Sequence, residues 1–279
     1  MPAMTSHYVT ILDRELHYVQ WGHDKSDVIV MWHGLARTGR DFDDLAAHLS
    51  SRYRIYCPDT IGRGLSQWSP KPEQEYGLNF YHDLAVGLVD AVGAKSVRWI
   101  GTSMGGAIGM RVAAGRAAGR ITHLVLNDIG PKIADSAVAR IRSYAGSPAS
   151  FDTVGQLEAY FRTIYKPYGF LTDAQWRRLT ETSTRRLPDG KVTPHYDPRM
   201  VYQFTHQPND YDLWPDYDRI TAKTLCLRGV DSDLLEPSVA AEMTRRGPKC
   251  ELATIPGCGH APALNVPEHF AILERFLAS

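Results

Sequence analysis

The stretch Ser96-Val97-Arg98-Trp99-Ile100-Gly101-Thr102-Ser103-Met104-Gly105-Gly106 decides the predicted fold. An apolar run of strand character ends at Gly101, and an Ala- and Gly-rich helical stretch opens after Ser103. A sharp turn between a strand and a helix lifts a serine Oγ clear of the sheet and points a helix N-terminus at negative charge developing beside it. Small residues suit such a turn because strand and helix approach closely there. The pattern therefore predicts Ser103 as a nucleophile, with the N–H of Met104 as an oxyanion donor.

A histidine near the end of the sequence is the predicted base. The segment Ile-Pro-Gly-Cys-Gly-His-Ala-Pro at 255–262 follows strand-like residues 250–255 and precedes a helical stretch that starts at Pro267. A histidine in a Gly/Pro loop after the last strand can lie over a serine at the end of an earlier strand. We therefore expect His260 to take the proton of Ser103.

Further segments have the expected order along the chain. The short apolar strand 27–32 runs into His33-Gly34-Leu35-Ala36, the buried strand 224–229 runs into a loop with two aspartates, and residues 59–66 read Asp-Thr-Ile-Gly-Arg-Gly-Leu-Ser. Together with the serine turn and the histidine loop, these segments resemble the α/β-hydrolase superfamily over nearly the whole chain. The resemblance implies a serine hydrolase of the carboxylesterase type.

The resemblance also implies roles for individual residues. The backbone N–H of Leu35 would be the second oxyanion donor, with His33 packed beneath it as a structural residue. The acid loop of many bacterial relatives places the acid directly after a serine, which favours Asp233 over Asp231 as the partner of His260. Asp128, at the end of the strand-like segment 124–128, remains a third candidate.

Composition limits the classes of function. The chain has 279 residues, of which 43% are hydrophobic, and its 31 basic residues balance 31 acidic ones. This balance argues against a nucleic-acid partner, and no run approaches the ~18 apolar residues of a membrane span. The four cysteines form no CxxC pair and are expected to be free thiols, and the scattered histidines indicate no metal site. We expect a cytoplasmic protein that acts on a small molecule without a cofactor; the oligomeric state is open.

Strand-like and helix-like segments alternate through most of the chain. This alternation predicts an α/β fold with a mostly parallel sheet flanked by helices, and the resemblance implies eight strands. The alternation stops at 131–219, where helical periodicity and half of the chain's aromatic residues occur. We therefore expect a hydrolase core at 1–130 and 220–279, with a helical cap at 131–219 inserted after strand 6.

The leading functional hypothesis is hydrolysis of small, mainly uncharged carboxylic esters through an acyl-enzyme on Ser103. Hydrolysis of C–C bonds in meta-cleavage (ring-fission) products is the alternative. Such an enzyme needs cap groups for an acidic substrate, for which Arg162, Trp176, Arg177 and Arg178 are candidates. Less favoured are a cofactor-free haloperoxidase or perhydrolase and a noncatalytic ligand receptor.

Overall fold

The protein alternates strands and helices along the chain. The computed structural model describes residues 4–279. Within these residues the strands are β1 (Thr5–Ile11), β2 (Arg14–Trp21), β3 (Val28–Trp32), β4 (Arg54–Pro58), β5 (Val97–Thr102), β6 (Ile121–Asn127), β7 (Thr184–Arg186), β8 (Val192–Pro194), β9 (Lys223–Gly229) and β10 (Glu251–Ile255). The helices are α1 (Asp43–Leu49), α2 (Pro72–Glu75), α3 (Leu78–Ala91), α4 (Met104–Ala114), α5 (Asp135–Ala145), α6 (Val154–Ile164), α7 (Asp173–Thr182), α8 (Gln203–His206), α9 (Trp214–Tyr217), α10 (Pro237–Met243) and α11 (Pro267–Leu277).

Eight of the described strands form one sheet. Their order is β1-β2-β4-β3-β5-β6-β9-β10. β2 pairs antiparallel with both β1 and β4, and the other pairings are parallel. The expectation of a mostly parallel eight-stranded sheet is confirmed. Because the carboxyl ends of parallel strands meet at one edge, β5, β6 and β9 bring their following loops together there.

Both faces of the sheet are covered. Successive side chains of a strand point to opposite faces, so Val28, Val30 and Trp32 of β3 join the hydrophobic cluster of α3 and α4, whereas Ile29 and Met31 join that of α1 and α11. Burial on both faces explains why the central strands are nearly continuous apolar runs. The sheet is a rigid platform for the loops at its edge.

The cap segment, defined here as residues 131–219, lies between β6 and β9. Its α6, α7 and β8 contribute to a separate cluster formed by Leu157, Phe161, Trp176, Leu179 and Val192. The later part of the segment behaves differently, because Tyr196, Met200, Leu213 and Tyr217 belong to the α3 and α4 cluster. Only the part around α6 and α7 thus has a hydrophobic centre of its own.

Several short elements were not predicted. They are the two-stranded sheet of β7 and β8 in the cap segment and the helices α2 and α10, for which the sequence analysis makes no prediction. These elements span three to seven residues, too few for a hydrophobic period to stand out from the sequence.

Candidate active site

Ser103 occupies the strained turn that the sequence predicts. Its φ of 51° and ψ of −117° are unusual for a residue with a side chain, and α4 begins at the next residue. A Cβ on Gly105 would overlap the carbonyl oxygen of Trp32, so close approach of α4 to β3 requires glycine at that position. The Ser103 N–H donates to the Asn127 carbonyl at 2.9 Å, which fixes the turn to the end of β6.

Ser103, His260 and Asp128 form one hydrogen-bonded chain. Ser103 Oγ lies 2.9 Å from His260 Nε2, and His260 Nδ1 lies 2.7 Å from Asp128 Oδ2. Asp128 is fully buried, whereas the His260 side chain keeps 17% of its surface exposed. This is the geometry in which an imidazole takes a proton from a serine while a carboxylate orients the ring.

The Asp128 carboxylate is held from two further directions. Oδ1 accepts the N–H of Gly229 at 2.9 Å, and Oδ2 accepts the hydroxyl hydrogen of Ser232 at 2.5 Å. Asp128 has a φ of 56°, a left-handed conformation that aspartate tolerates better than most residues. Burial, hydrogen bonds and backbone conformation together fix this carboxylate beneath the imidazole.

The prediction that Asp233 is the partner of His260 is wrong. Asp233 pairs instead with Arg140 at 2.7 Å, and its side chain is 57% exposed. Asp231 is also exposed. Since β6 and β9 are neighbours, the loops after both strands reach the same place, and the carboxylate comes from the β6 end. Asp128, the least favoured candidate, takes the position.

The loop after β9 nevertheless belongs to the site. Besides donating to Asp128, the Ser232 hydroxyl oxygen lies 3.3 and 3.2 Å from the N–H groups of Leu234 and Leu235. The buried Arg228 donates to the carbonyls of Leu235 and Ser232 and so holds the loop shape. Sequence reasoning noticed this Ser-Asp loop but missed that its serine, rather than its aspartate, contacts the chain of three residues.

His33 is a buried neutral residue beneath the loop after β3. Burial lowers its pKa from 6.5 to about 4. Its Nε2 accepts the N–H of Thr60 at 2.8 Å, which leaves Nδ1 to donate to the Gly34 carbonyl at 2.6 Å. A ring with both nitrogens engaged in this way links two loops and is not a second base. The structural role predicted for His33 agrees with these contacts.

The two residues predicted to supply oxyanion donors lie at the same place. Met104 is the first residue of α4, where N–H groups have no intrahelical acceptor. A Cβ on Gly34 would lie 3.6 Å from Ser103 Cβ, so the loop that carries Leu35 passes directly beside the serine. That the N–H groups of Leu35 and Met104 bind an oxyanion stays a prediction.

Arg63 joins these two donor residues from behind and was not foreseen. It is fully buried; its Nε donates to the Leu35 carbonyl at 2.9 Å, and Nη2 lies 3.7 Å from Met104 Sδ. Nη1 donates to the Ile61 carbonyl and the Tyr81 hydroxyl, both at 2.8 Å. A fixed positive charge therefore stands behind the loop. What marks Arg63 as part of the site is the burial of its guanidinium among neutral acceptors. This property cannot be recognised in the sequence.

The cap segment is hydrogen-bonded to the His260 loop. Gly259 N–H donates to the Pro167 carbonyl at 2.7 Å, and Ala263 N–H donates to the Tyr168 carbonyl at 3.1 Å. Asn265 Nδ2 extends the contact to the Phe170 carbonyl at 2.9 Å. We call these bonds between 166–170 and 259–265 the cap seam.

A cavity of about 50 Å³ is lined by sequence neighbours of Ser103 and His260, but by neither of these two residues. Thr102 and Ala261, the neighbours of Ser103 and His260 along the chain, form part of its wall. Its other lining residues come from α1, the turn before it, α7 and the cap seam: Arg40, Asp41, Phe42, Asp44, Tyr168, Leu171, Gln175, Arg178, Leu179, Pro262, Ala263 and Asn265. Since one water needs roughly 10–15 Å³ by such a measure, the space as it stands admits only small groups.

Among the cap residues considered for an acidic substrate, only one reaches this cavity. Arg162 pairs with Glu158 at 2.7 Å, Arg177 is exposed, and Trp176 is part of the cap segment's own cluster. Arg178 lines the cavity, but its guanidinium pairs with Asp44. Nothing in these contacts favours C–C bond hydrolysis.

A second Ser-His-Asp chain exists elsewhere. Ser6 Oγ lies 2.7 Å from His17 Nε2, and His17 Nδ1 lies 2.8 Å from Asp59 Oδ2. Ser6 stands within β1, with no helix N-terminus after it, and Asp59 also accepts the backbone N–H groups of Gly39 and Leu65. The series Ser6, His17 and Asp59 thus has the same hydrogen bonds as Ser103, His260 and Asp128. It lacks the strained turn between a strand and a helix that holds Ser103.

Cys258, two residues before His260, is not a reactive thiol. The four cysteines are free and buried, and burial raises the pKa of Cys258, which keeps its thiol protonated. Over residues 4–279 no cluster of His, Cys, Asp or Glu has an arrangement that would hold a metal ion. None of the helices in that range is long and apolar enough to cross a membrane.

Comparison with known proteins agrees with this fold. Residues 29–271 match the model of the alpha/beta hydrolase family. The 3-hydroxybutyrate-oligomer hydrolase of Cupriavidus necator is 38% identical, and the match covers 93% of this chain and 91% of that one. The 2-(acetamidomethylene)succinate hydrolase of Mesorhizobium japonicum is 28% identical, over 84% and 81%. An alpha/beta hydrolase structure from Novosphingobium aromaticivorans superimposes with a TM-score of 0.88 at 33% identity, covering 100% and 99%. The chain belongs to the α/β-hydrolase family.

Proposed function

We propose that this protein hydrolyses carboxylic esters through an acyl-enzyme on Ser103. The observation that carries the proposal is the chain from Ser103 Oγ through His260 to the buried carboxylate of Asp128, placed at the start of α4. Ser103 Oγ attacks the ester carbonyl while its proton passes to His260 Nε2. The same Nε2–H then protonates the departing alkoxide. Water, deprotonated by His260, cleaves the acyl-serine and releases the acid.

The other groups of the site stabilise the charges that form during the reaction. Asp128 stabilises the imidazolium that forms at each proton transfer, and the N–H groups of Leu35 and Met104 bind the tetrahedral oxyanion. Arg63 holds the Leu35 carbonyl and keeps that loop in place. Residues 131–219 act as the cap that excludes water from the reacting ester. The name of the Cupriavidus necator relative, together with the small cavity, favours short hydroxy-acid esters as substrates.

The test combines labelling with turnover. We expect a fluorophosphonate to modify Ser103 in the intact protein, and short-chain p-nitrophenyl esters and a 3-hydroxybutyrate dimer to be cleaved. Ser103→Ala should abolish both the label and turnover, because alanine fits the turn without Oγ. Ser6→Ala is the matched control, because Ser6 has the same hydrogen bonds without the turn. Its label and turnover should equal those of the unmodified protein.

Two outcomes would contradict the proposal. Labelling of Ser6 in place of Ser103 would move the nucleophile to the second chain. Rapid cleavage of a vinylogous 1,5-diketone acid, with only trace ester hydrolysis, would establish C–C bond hydrolysis instead.

A further inference from the structure

The side chain of Asn127 lies between the turn of Ser103 and the loop of His260. Asn127 is the last residue of β6 and is fully buried. Its Nδ2 donates to the Pro262 carbonyl at 2.9 Å and to Thr102 Oγ1 at 3.0 Å. Thr102 directly precedes the serine, and Pro262 follows the histidine by two residues. One amide nitrogen therefore joins the two segments that must meet for proton transfer.

The backbone of Asn127 fixes the other members of the site. Its carbonyl accepts the N–H of Ser103 at 2.9 Å, and the next residue along the chain is Asp128, the acid partner of His260. β6 lies inside the sheet, paired with β5 on one side and with β9 on the other. The nucleophile, the acid and the histidine loop are thus all held at the end of one internal strand.

The bond from Asn127 ties the histidine loop to the core. Gly259 and Ala263, on either side of His260, donate their N–H groups to carbonyls of the cap segment. The Pro262 carbonyl instead accepts its hydrogen bond from a core strand. The loop is therefore held from two directions, and Asn127 supplies a bond on the side of the serine.

The other end of the Asn127 amide is unpaired. Oδ1 is buried and accepts no hydrogen bond from residues 4–279. A carbonyl oxygen can only accept, so the atom facing Pro262 is Nδ2 and not Oδ1. A buried acceptor without a donor lowers stability. Stability alone thus gives no reason for an amide here, whereas a need for its donor end does.

We propose that Asn127 is a positioning residue for the reaction: its amide holds the loop of His260 on the turn of Ser103, so that Nε2 stays within hydrogen-bond distance of Oγ. This inference rests on the proposed ester hydrolysis, in which that contact carries the proton. A misplacement of about 1 Å can cost about 10²-fold in rate, so one hydrogen bond at Pro262 is enough to affect turnover. Asn127 acts through this loop and not on the substrate.

The experiment separates a loss of kcat from a loss of folded protein. Asn127→Leu removes Nδ2 with little change in volume. We measure kcat and KM on p-nitrophenyl butyrate and take the folded fraction from near-UV circular dichroism. The kcat per folded molecule should fall about 10²-fold and KM should stay within about threefold, because the amide orients His260 and binds no substrate. The rate of fluorophosphonate labelling of Ser103 should fall with kcat.

Two further variants locate the effect. Thr102→Val keeps the shape of threonine and removes only the second acceptor of Nδ2, so its loss of kcat should be less than about 10-fold. Gln203→Leu is the matched control, because Gln203 is also a fully buried amide and its Nε2 donates to the Met200 carbonyl at 2.7 Å, outside the histidine loop. It should lower stability and leave kcat per folded molecule unchanged.

A second variant and a measurement on the unmodified protein cover the case in which Asn127→Leu does not fold. Asn127→Ser also lacks Nδ2 and adds no apolar bulk next to Asp128, and the same separation of kcat from KM is expected. In the unmodified protein the side-chain N–H groups of Asn127 should exchange slowly with deuterium. Exchange as fast as that of an exposed amide would overturn the proposal.

The outcomes separate this inference from the ester hydrolysis on which it rests. An undiminished kcat in Asn127→Leu, or an equal loss in Gln203→Leu, would overturn the positioning role and leave ester hydrolysis standing. A loss in Thr102→Val as large as in Asn127→Leu would assign the effect to the turn of Ser103 and overturn the role of the His260 loop. An unmodified protein that neither labels at Ser103 nor cleaves any ester would overturn both proposals.

Discussion

At the scale of single residues, the position of the acid decides how the histidine works. Asp128 presents a buried carboxylate to His260, and Ser232 and Gly229 supply two more hydrogen bonds to it. The backbone conformation of Asp128 turns its side chain out of the line of β6 and beneath the imidazole. Backbone conformation and burial thus decide which aspartate is the acid partner of His260. Neither property can be read from the residue type.

We expect Asp128→Asn to lower kcat by about 10⁴-fold, because an amide accepts less strongly and orients the imidazole in the wrong tautomer. Asp233→Asn is the control: it removes a half-exposed ion pair with Arg140 and should leave kcat close to its original value. Steady-state kinetics on a p-nitrophenyl ester measures both. A large loss in the Asp233 variant, with a small one in the Asp128 variant, would contradict the observed geometry.

The sequence specified part of this site. Ser103 and His260 stand in motifs whose glycines and order along the chain predict their meeting. The acid could not be assigned in this way, since the loops after β6 and β9 converge on one point and both contain aspartate. Arg63 was missed because nothing in the sequence distinguishes a buried arginine from an exposed one.

At the scale of elements, the loops after β3 and β4 are joined by a buried histidine. His33 is neutral in the folded protein and bridges the Gly34 carbonyl and the Thr60 N–H. Its pKa of about 4 lies below the 6.5 of an exposed histidine. Between these two values the unfolded chain binds a proton at this position that the folded protein does not, so stability rises with pH.

We therefore expect the free energy of unfolding to fall as the pH drops from 7 towards 4, with His33 contributing about 2 kcal/mol of that loss at pH 5. The free energy of unfolding of His33→Gln should fall less over the same pH interval, because glutamine can make both hydrogen bonds without titrating. Burial also lowers the pKa of His123, His195 and His269, which contribute in the same direction in both proteins. Urea unfolding at pH 7 and pH 5 gives the comparison, and identical losses in the two proteins would refute the assignment.

Strands and helices could be predicted from the sequence where their apolar residues form a clear pattern. The strand-like segments of the main sheet and the helical stretch that starts at Pro267, α11, were recognised in this way. The short pairing of β7 and β8 depends on contacts within the folded cap segment. The predicted β3 has only five residues and the missed α10 has seven, so a continuous buried apolar run helps prediction as much as length does.

At the scale of the whole molecule, two unlike contacts between the cap segment and the core lie beside the cavity. The cap seam consists of backbone hydrogen bonds and Asn265, whereas α7 meets α1 through the side chains of Gln175 and Arg178 on Asp44. The second contact forms part of the cavity wall. Since its ion pair is partly exposed, it adds little to stability, on the order of 1 kcal/mol or less.

We expect Asp44→Ala to widen access to the cavity while leaving the free energy of unfolding nearly unchanged. KM for p-nitrophenyl esters of medium chain length should fall relative to that for the acetate. Asp90→Ala, which removes the partner of Arg120 on a different surface, is the control and should leave the chain-length profile unaltered. The same profile in both variants would show that Asp44 does not restrict entry.

The cap seam has a consequence for the timing of the reaction. The hydrogen bonds of Gly259 and Ala263 lie on either side of His260, so we expect any movement of residues 166–170 away from the core to displace the histidine as well as the cap segment. Opening the cavity there would separate Nε2 from Ser103 Oγ, and closing it would bring them back within 2.9 Å. Closure of the cap segment and alignment of His260 for proton transfer would then be a single kinetic event. In the open molecule Ser103 would not be activated, so it would not react with water or with other small molecules that enter the cavity.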